Sequence, residues 1–468
     1  MRKVIALIFF CLGLTFSLQA QDTGLMQKQD TVRSSGEGQI NLKQAIEISI
    51  ENNFQLRVAN NNLALSEFNE KSEKADFLPS LSANFGGNRS TGPGFVPGSA
   101  TFINQTSQSI NGRISSSIPI FNGFENINSL RSSRFDTKSQ EENRQRVREN
   151  IIFNTASNFL QVVLDRELLE IAEENLAASQ KTLEQVDAQV EVGSRPTVDL
   201  YNQEATLASN ELQVINQENA LNISRLQLIR QLQVDPLQDY NFVIPEINLH
   251  DITPTNYNLS QLVATALENR SDLKREQFNI NAIEYQLKAT KASLYPSLSF
   301  NANFSTNYSD QRTLPGSDDL IPFNDQFFDI NVNRSFGLSL NIPIFNNLNI
   351  RNNVQSQQIN YDNARLQLED TRLQVVQEVN QAYNDYIAVV KRLESTEKAL
   401  RAAQRSYETQ QERYNVGAGT LIELSDANSQ FVEARSNRAQ AELNFIFQQK
   451  LLDYYLGQLN EDINLNIN

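Results

Sequence analysis

The chain has 468 residues, 40% of them hydrophobic, with a formal net charge of −15. It is too apolar for a disordered tail and too acidic to favour phosphate, so nucleic acid is not expected as a partner. One cysteine (Cys11) and one histidine (His250) leave no material for a disulfide or a Cys/His metal centre, and no metal or other cofactor is expected.

In chain order, Arg2 and Lys3 precede the apolar run Val4 to Phe16, and Leu18-Gln19-Ala20 offers a small-residue cleavage site. Residues 1–20 therefore read as a signal peptide, since the run is short for a membrane span. Cleavage would remove Cys11 and two positive charges, taking the net charge from −15 to about −17. Residues 21–40, with Ser34-Ser35-Gly36-Glu37-Gly38, form a polar, extended lead-in.

The pattern from Leu42 to about Ala75 is helical, with a break near Asn52-Asn53. After Pro79 the period changes to two: Leu81, Ala83 and Phe85 alternate with Ser82 and Asn84, and Ile110, Ile114 and Ile118 with Asn111, Arg113 and Ser115. Strands are expected over about 80–90 and 107–120, with Gly86 to Gly98 as an external loop. A helix free of Gly and Pro follows over 124–192, with Leu169, Leu176, Leu183 and Val190 at heptad spacing. It reverses at Val192-Gly193 into a second helix over 197–234, where Leu200, Leu207, Val214, Leu221 and Leu228 repeat every seven. Residues 235–258, with Pro236, Pro245 and Pro254, read as a non-helical belt, and His250 as a surface residue within it.

The same text then returns. Leu42, Gln44, Glu51-Asn52 and Leu56 match Leu259, Gln261, Glu268-Asn269 and Leu273, and Pro79-Ser80-Leu81-Ser82 matches Pro296-Ser297-Leu298-Ser299. Strands are expected over about 297–308 and 332–344, with Leu314 to Pro322 as the loop. A long helix over 346–416 carries Leu393, Leu400, Tyr407 and Tyr414, a heptad that supercoils against partners. A helix over 420–456 and a polar tail over 457–468 complete the second copy. The plan is thus two tandem repeats, 41–234 and 259–456.

Four strands with one apolar and one Ser/Asn face carry the signature of a membrane β-barrel. Four cannot close one, and an open edge in hydrocarbon leaves backbone groups unpaired, so the chain must oligomerise; three copies give twelve strands. The expected fold is an α+β membrane protein: a trimeric twelve-stranded barrel continued by a long α-helical coiled-coil tunnel.

In the repeat, the Pro-Ser-Leu strand entries, the exits Ile118-Pro119-Ile120-Phe121-Asn122 and Ile342-Pro343-Ile344-Phe345-Asn346, and the turns Val192-Gly193 and Tyr414-Asn415-Val416-Gly417, the chain resembles the TolC-type outer-membrane efflux proteins of Gram-negative bacteria. The resemblance covers about Leu42 to Leu456. It implies a trimeric, non-enzymatic exit duct in the outer membrane, reaching through the periplasm to a periplasmic adaptor and an inner-membrane pump of an efflux or type I secretion system. It also implies an acidic gate, which by position falls on Glu423 and Asp426, and a closing network that includes Tyr414 and Asp199. The tips Val192, Gly193 and Ser194, and Val416, Gly417 and Ala418, would form the adaptor-docking rim. One departure stands out: the basic residue usual two places after the second glycine is Gly419 here, while Arg195 holds the equivalent place in the first turn. An Arg195–Glu423 contact between neighbouring helix pairs, with a Tyr414–Asp199 tie, is therefore expected to hold the tip closed.

Blander readings stand beside these. Glu423 and Asp426 also suit an ordinary acidic first turn, and Tyr407 and Tyr414 suit a coiled-coil seam. There is no HExxH, GxSxG or P-loop. A trimeric coiled-coil surface adhesin would combine rods and strands too, but with its barrel at the C-terminus. A glycosidase built on Glu423 and Asp426 is disfavoured because the two sit on one helix turn.

Overall fold

The computed structural model describes residues 39–96, 101–238, 240–243, 255–314, 316–317 and 319–459. The expected signal peptide, most of the lead-in, His250 and nearly all of the C-terminal tail lie outside these residues.

A two-residue strand β1 (Gln39–Ile40) leads into α1 (Leu42–Asn52) and α2 (Phe54–Ala75). Asn41 opens α1 with a reciprocal capping box to Gln44. Asn53 ends α1 and caps α2 through Gln55 N–H, so the break expected at Asn52-Asn53 is a cap. Strands β2 (Ser80–Val96) and β3 (Thr101–Asn122) follow, then α3 (Glu125–Glu191) and α4 (Thr197–Leu232). After β4 (Asn241–Phe242) the same order recurs: α5 (Leu259–Asn269), α6 (Ser271–Ala292), β5 (Ser297–Ser309), β6 (Asn333–Asn341), α7 (Asn349–Asn415) and α8 (Leu421–Tyr455). Both α3 and α7 have 67 residues, about 100 Å of helix each at ~1.5 Å per residue. Gly123, Phe124, Asn347 and Leu348 take positive φ to turn the chain from strand into rod. At Gly123 a Cβ would meet the Ala292 carbonyl oxygen at 2.6 Å, so this position needs glycine for space as well as conformation.

The four long strands form one antiparallel sheet in the order β2-β3-β5-β6. Here the expected boundaries change. The stretch from Gly86 to Val96, expected as a loop, continues β2, paired with β3 out to Val96–Thr101. Glycine and Pro93 are tolerated because β2 is an edge strand, whose outer side donates to no neighbour within the chain. The β2–β3 hairpin therefore runs past the Ser109–Ser309 pair where the β3–β5 ladder ends. Between β5 and β6, just after the loop expected over Leu314 to Pro322, the chain forms a helical turn that the sequence reading did not foresee, Phe323–Asp325 running into Gln326–Ile330. It is seated by Gln326, whose side chain bonds Ser309 and Ile321, and by the Phe327 ring over Gly112.

The helices pack as two rows that share α3 and α7. Nearer the sheet the row is α2-α3-α6-α7; toward the far tips it is α4-α3-α8-α7. The largest apolar clusters lie near the middle of the rods, where α1 and α5 lie across them. One joins Ile46, Phe159, Leu228 and Phe242; the other joins Leu262, Val379, Tyr386 and Phe445. There β1 pairs in parallel with β4, so the lead-in is stitched to the belt. Among the described residues no helix is long and apolar enough to cross a membrane.

Candidate functional site

The sequence-predicted site residues gather at the far ends of the rods. Each end closes with a Schellman motif. Gly193 N–H reaches Val190 O (2.9 Å) and Ser194 N–H reaches Gln189 O (2.8 Å); Gly417 N–H reaches Tyr414 O (3.1 Å) and Ala418 N–H reaches Arg413 O (2.8 Å). Both glycines are left-handed, at φ +71° and +75°, with open space around them. Val192 and Val416 are 79% and 78% exposed, two matched apolar tips left largely uncovered by the described residues.

Behind the tips a small apolar layer of Val186, Tyr414, Leu421 and Leu424 joins α3, α7 and α8. Tyr407 stacks flat on Phe431 one heptad further up, centroids 5.4 Å apart, as a seam residue does. Tyr414 is both seam and site. Its ring is buried while Arg195 lies over it at 4.3 Å, and Arg195 also pairs with Asp199 at 3.4 Å. One arginine thus ties the α3–α4 tip to α7. Burial raises the Tyr414 hydroxyl pKa, the Arg195 charge lowers it and the Asp199 charge raises it further. The hydroxyl oxygen is buried with no hydrogen-bond partner among the described residues, so within the chain Tyr414 meets Asp199 only through Arg195.

Arg195 does not reach Glu423 within the chain either. Glu423 is the third residue of α8 and forms a capping box with Thr420, its carboxylate accepting from Thr420 N–H at 2.9 Å. That bond, first of the causes, holds its carboxyl below the usual range, with the Arg413 charge adding to it. Within one chain the cap thus favours the charged carboxylate. Asp426 is exposed one turn later, and Leu421 and Leu424 face inward to the layer. Sequence reasoning missed Arg413, whose guanidinium bonds Gln410 and the Ala418 carbonyl. It is the basic residue of the second tip, placed before the turn instead of after it; the signal was its position directly before Tyr414.

The family profile described as Outer membrane efflux protein matches residues 45–232 and 262–458. The chain belongs to the outer membrane efflux protein family. The two matched segments take in nearly all of each half of this family member, including both tips. The Outer membrane protein TolC of Escherichia coli K12 is 25% identical over 326 residues, 68% of this chain and 64% of that protein. The chain thus spans just under two thirds of that relative. The probable efflux pump outer membrane protein TtgC of Pseudomonas putida is 24% identical over 450 residues, 91% of this chain and 81% of the relative. Among solved structures, CusC (TM-score 0.75, 19% identity, 89% and 92% of the two chains) shares the fold. The CmeC outer membrane channel of Campylobacter jejuni shares it too (TM-score 0.74, 17% identity, 91% and 87%).

Proposed function

We propose that this chain is the outer-membrane exit duct of a tripartite efflux or type I secretion system. Three copies close a twelve-stranded barrel, and the helices continue it across the periplasm to a periplasmic adaptor and an inner-membrane pump. Substrates pass through without chemical change.

The observation that carries this is the match between the two open sides of the chain. One side ends in β2, α2 and α4, the other in β6 and α7. Each bears exposed apolar rows: Phe54, Val58, Leu65 and Phe68 on α2, Tyr201, Leu212 and Ile215 on α4, and Ile359, Leu366 and Leu373 at heptad spacing on α7. A head-to-tail ring would bury these rows and pair β6 with the next β2, removing the strand edges that hydrocarbon does not tolerate. The equal lengths of α3 and α7 support a tandem repeat in which six near-equivalent helix tips meet. A trimeric adhesin gains no support, since the strands here are internal to both halves and the family is one of efflux proteins.

In this reading Glu423 and Asp426 line the narrow end, and Arg195, Asp199 and Tyr414 hold each pair of tips in the closed position. A charge swap in a planar bilayer tests the tie. Arg195→Glu should raise resting conductance several-fold, and adding Asp199→Arg should restore closure. Each tie is partly exposed and contributes about 1 kcal/mol, so three acting together can bias a two-state opening. If adding Glu423→Arg restores closure and adding Asp199→Arg does not, Arg195 works through Glu423 of a neighbouring helix pair, as the sequence alone suggests.

A further inference from the structure

The four barrel strands contain three charged residues, Arg89, Arg113 and Arg334, and no carboxylate. Their faces follow from register, because residues paired across strands point to the same side. Asn84, Arg113 and Ser305 stand in one row across β2, β3 and β5, on the Ser/Asn face. Phe85, Ile114 and Phe304 belong to the opposite, apolar face. Arg334 pairs with Phe304 and Arg89 with Gln108, so both lie on the apolar face, where long cationic side chains can extend toward headgroups. Arg113 is the single charged residue on the polar face of the described strands.

Its position is particular in depth as well. Arg113 is about 30 Å along β3 from Asn122, at ~3.3 Å per residue, and close to the Ser109–Ser309 pair where the β3–β5 ladder ends. The side chain is exposed, and among the described residues it makes no ion pair. Its guanidinium brings a positive charge and up to five N–H donors to this face.

Resting on the trimeric-duct reading, we infer that three Arg113 side chains form a cationic ring inside the barrel, an anion-binding constriction near the outer mouth that favours solutes carrying phosphate, sulfate or carboxylate groups. Twelve strands ~4.8 Å apart and inclined by ~40° enclose a barrel about 24 Å across. Three inward arms then bring their guanidiniums to within roughly a Debye length of one another, so their fields add. The uncharged Ser/Asn wall supplies no counter-ion, and low-dielectric surroundings focus the field. Guanidinium also offers paired N–H donors to an oxyanion. The duct would thus have a cationic ring near its outer mouth and an acidic ring at its periplasmic tip.

Ion selectivity of the full-length protein in planar bilayers tests this, in a Glu423→Gln, Asp426→Asn background that removes the acidic ring. Under a potassium chloride gradient, the channel with Arg113 should prefer chloride. Arg113→Lys should keep that preference, Arg113→Gln should abolish it, and Arg113→Glu should reverse it. Inorganic pyrophosphate added on the barrel side should block the Arg113 channel at a concentration on the order of tenfold lower than the Arg113→Gln channel. Channels that form in every variant with the same reversal potential and the same pyrophosphate block would overturn the ring and leave the duct intact. If no variant conducts, the duct reading falls and the ring with it.

Discussion

Replacing Arg270 by Ala is expected to destabilise the fold by about 3 kcal/mol, the low end of the cost of breaking a buried ion pair, because the two carboxylates left behind are only partly buried. Arg270 sits between α5 and α6 and is 2% exposed, the largest fully buried side chain among the described residues. Its Nη1 bonds Glu378 of α7 at 2.5 Å, and its guanidinium clasps Asp272, with Nε at 3.0 Å. Arg146 of α3 joins from the other side, 3.8 Å from Asp272, and Ser271 donates to Glu149 at 2.9 Å. Gly457, at the end of α8, packs against the Arg270 backbone, where a Cβ would stand 3.1 Å away. Arg270 and its partner Asp272 together thus pin α3, α6, α7 and α8 at mid-height.

Burial pushes the Asp272 carboxyl up, but the hydrogen bond and charge of Arg270, with the Arg146 charge, hold it net below its usual range. A depressed folded-state pKa contributes stability above the unfolded value of about 4, and that contribution is lost as pH falls through the folded value. The gap between native and Arg270→Ala protein should therefore be widest near neutral pH and should narrow below about pH 4. Chemical unfolding in detergent, followed by helical circular dichroism, measures both. Arg270→Met combined with Asp272→Asn and Glu378→Gln should recover most of the loss. An Arg270→Ala protein within about 1 kcal/mol of native at neutral pH would show that the cluster holds nothing together.

Export should be lost altogether when Gly417 or Gly193 is replaced by Trp, while assembly survives. Both positions take a left-handed backbone that costs a residue with a Cβ about 1–2 kcal/mol, small against a rod this long, and neither has an atom within 4 Å of the added Cβ. The defect therefore lies in what the tips must touch. If these turns meet an adaptor through Val192, Ser194, Val416 and Ala418, an indole ring between them blocks close approach. Gly417→Asn, which accepts left-handed φ and is small, should retain most export. The readout is efflux of a fluorescent substrate in cells, beside the amount of heat-modifiable trimer in the membrane. Normal efflux by both Trp variants would remove the tips from the docking role.

The rods, tips and strand entries were legible because each rests on local periodicity. The heptad through Tyr407 and Tyr414 is the packed seam, and both Val-Gly turns are Schellman ends. The outer reach of the β2–β3 hairpin was not legible. Gly86, Gly87, Gly92, Pro93 and Gly94 read as loop, and only pairing with β3 makes them strand. The contacts at the tip were legible in their members but not in their pairing. Arg195, Asp199 and Tyr414 do meet, whereas Glu423 turns to its own cap, a local hydrogen bond that a long-range pairing would have to break. Arg270 gave no signal, since it stands where the first half has the capping Asn53, and a buried arginine on a polar helix start reads as surface.

Whether three chains close one barrel is tested most directly by the mass of the detergent-solubilised protein. Native mass spectrometry, with cross-linking between cysteines placed at β2 and β6, should give a three-chain species whose cross-links join different copies. A stable monomer that keeps its full strand content and cross-links only within itself would contradict it.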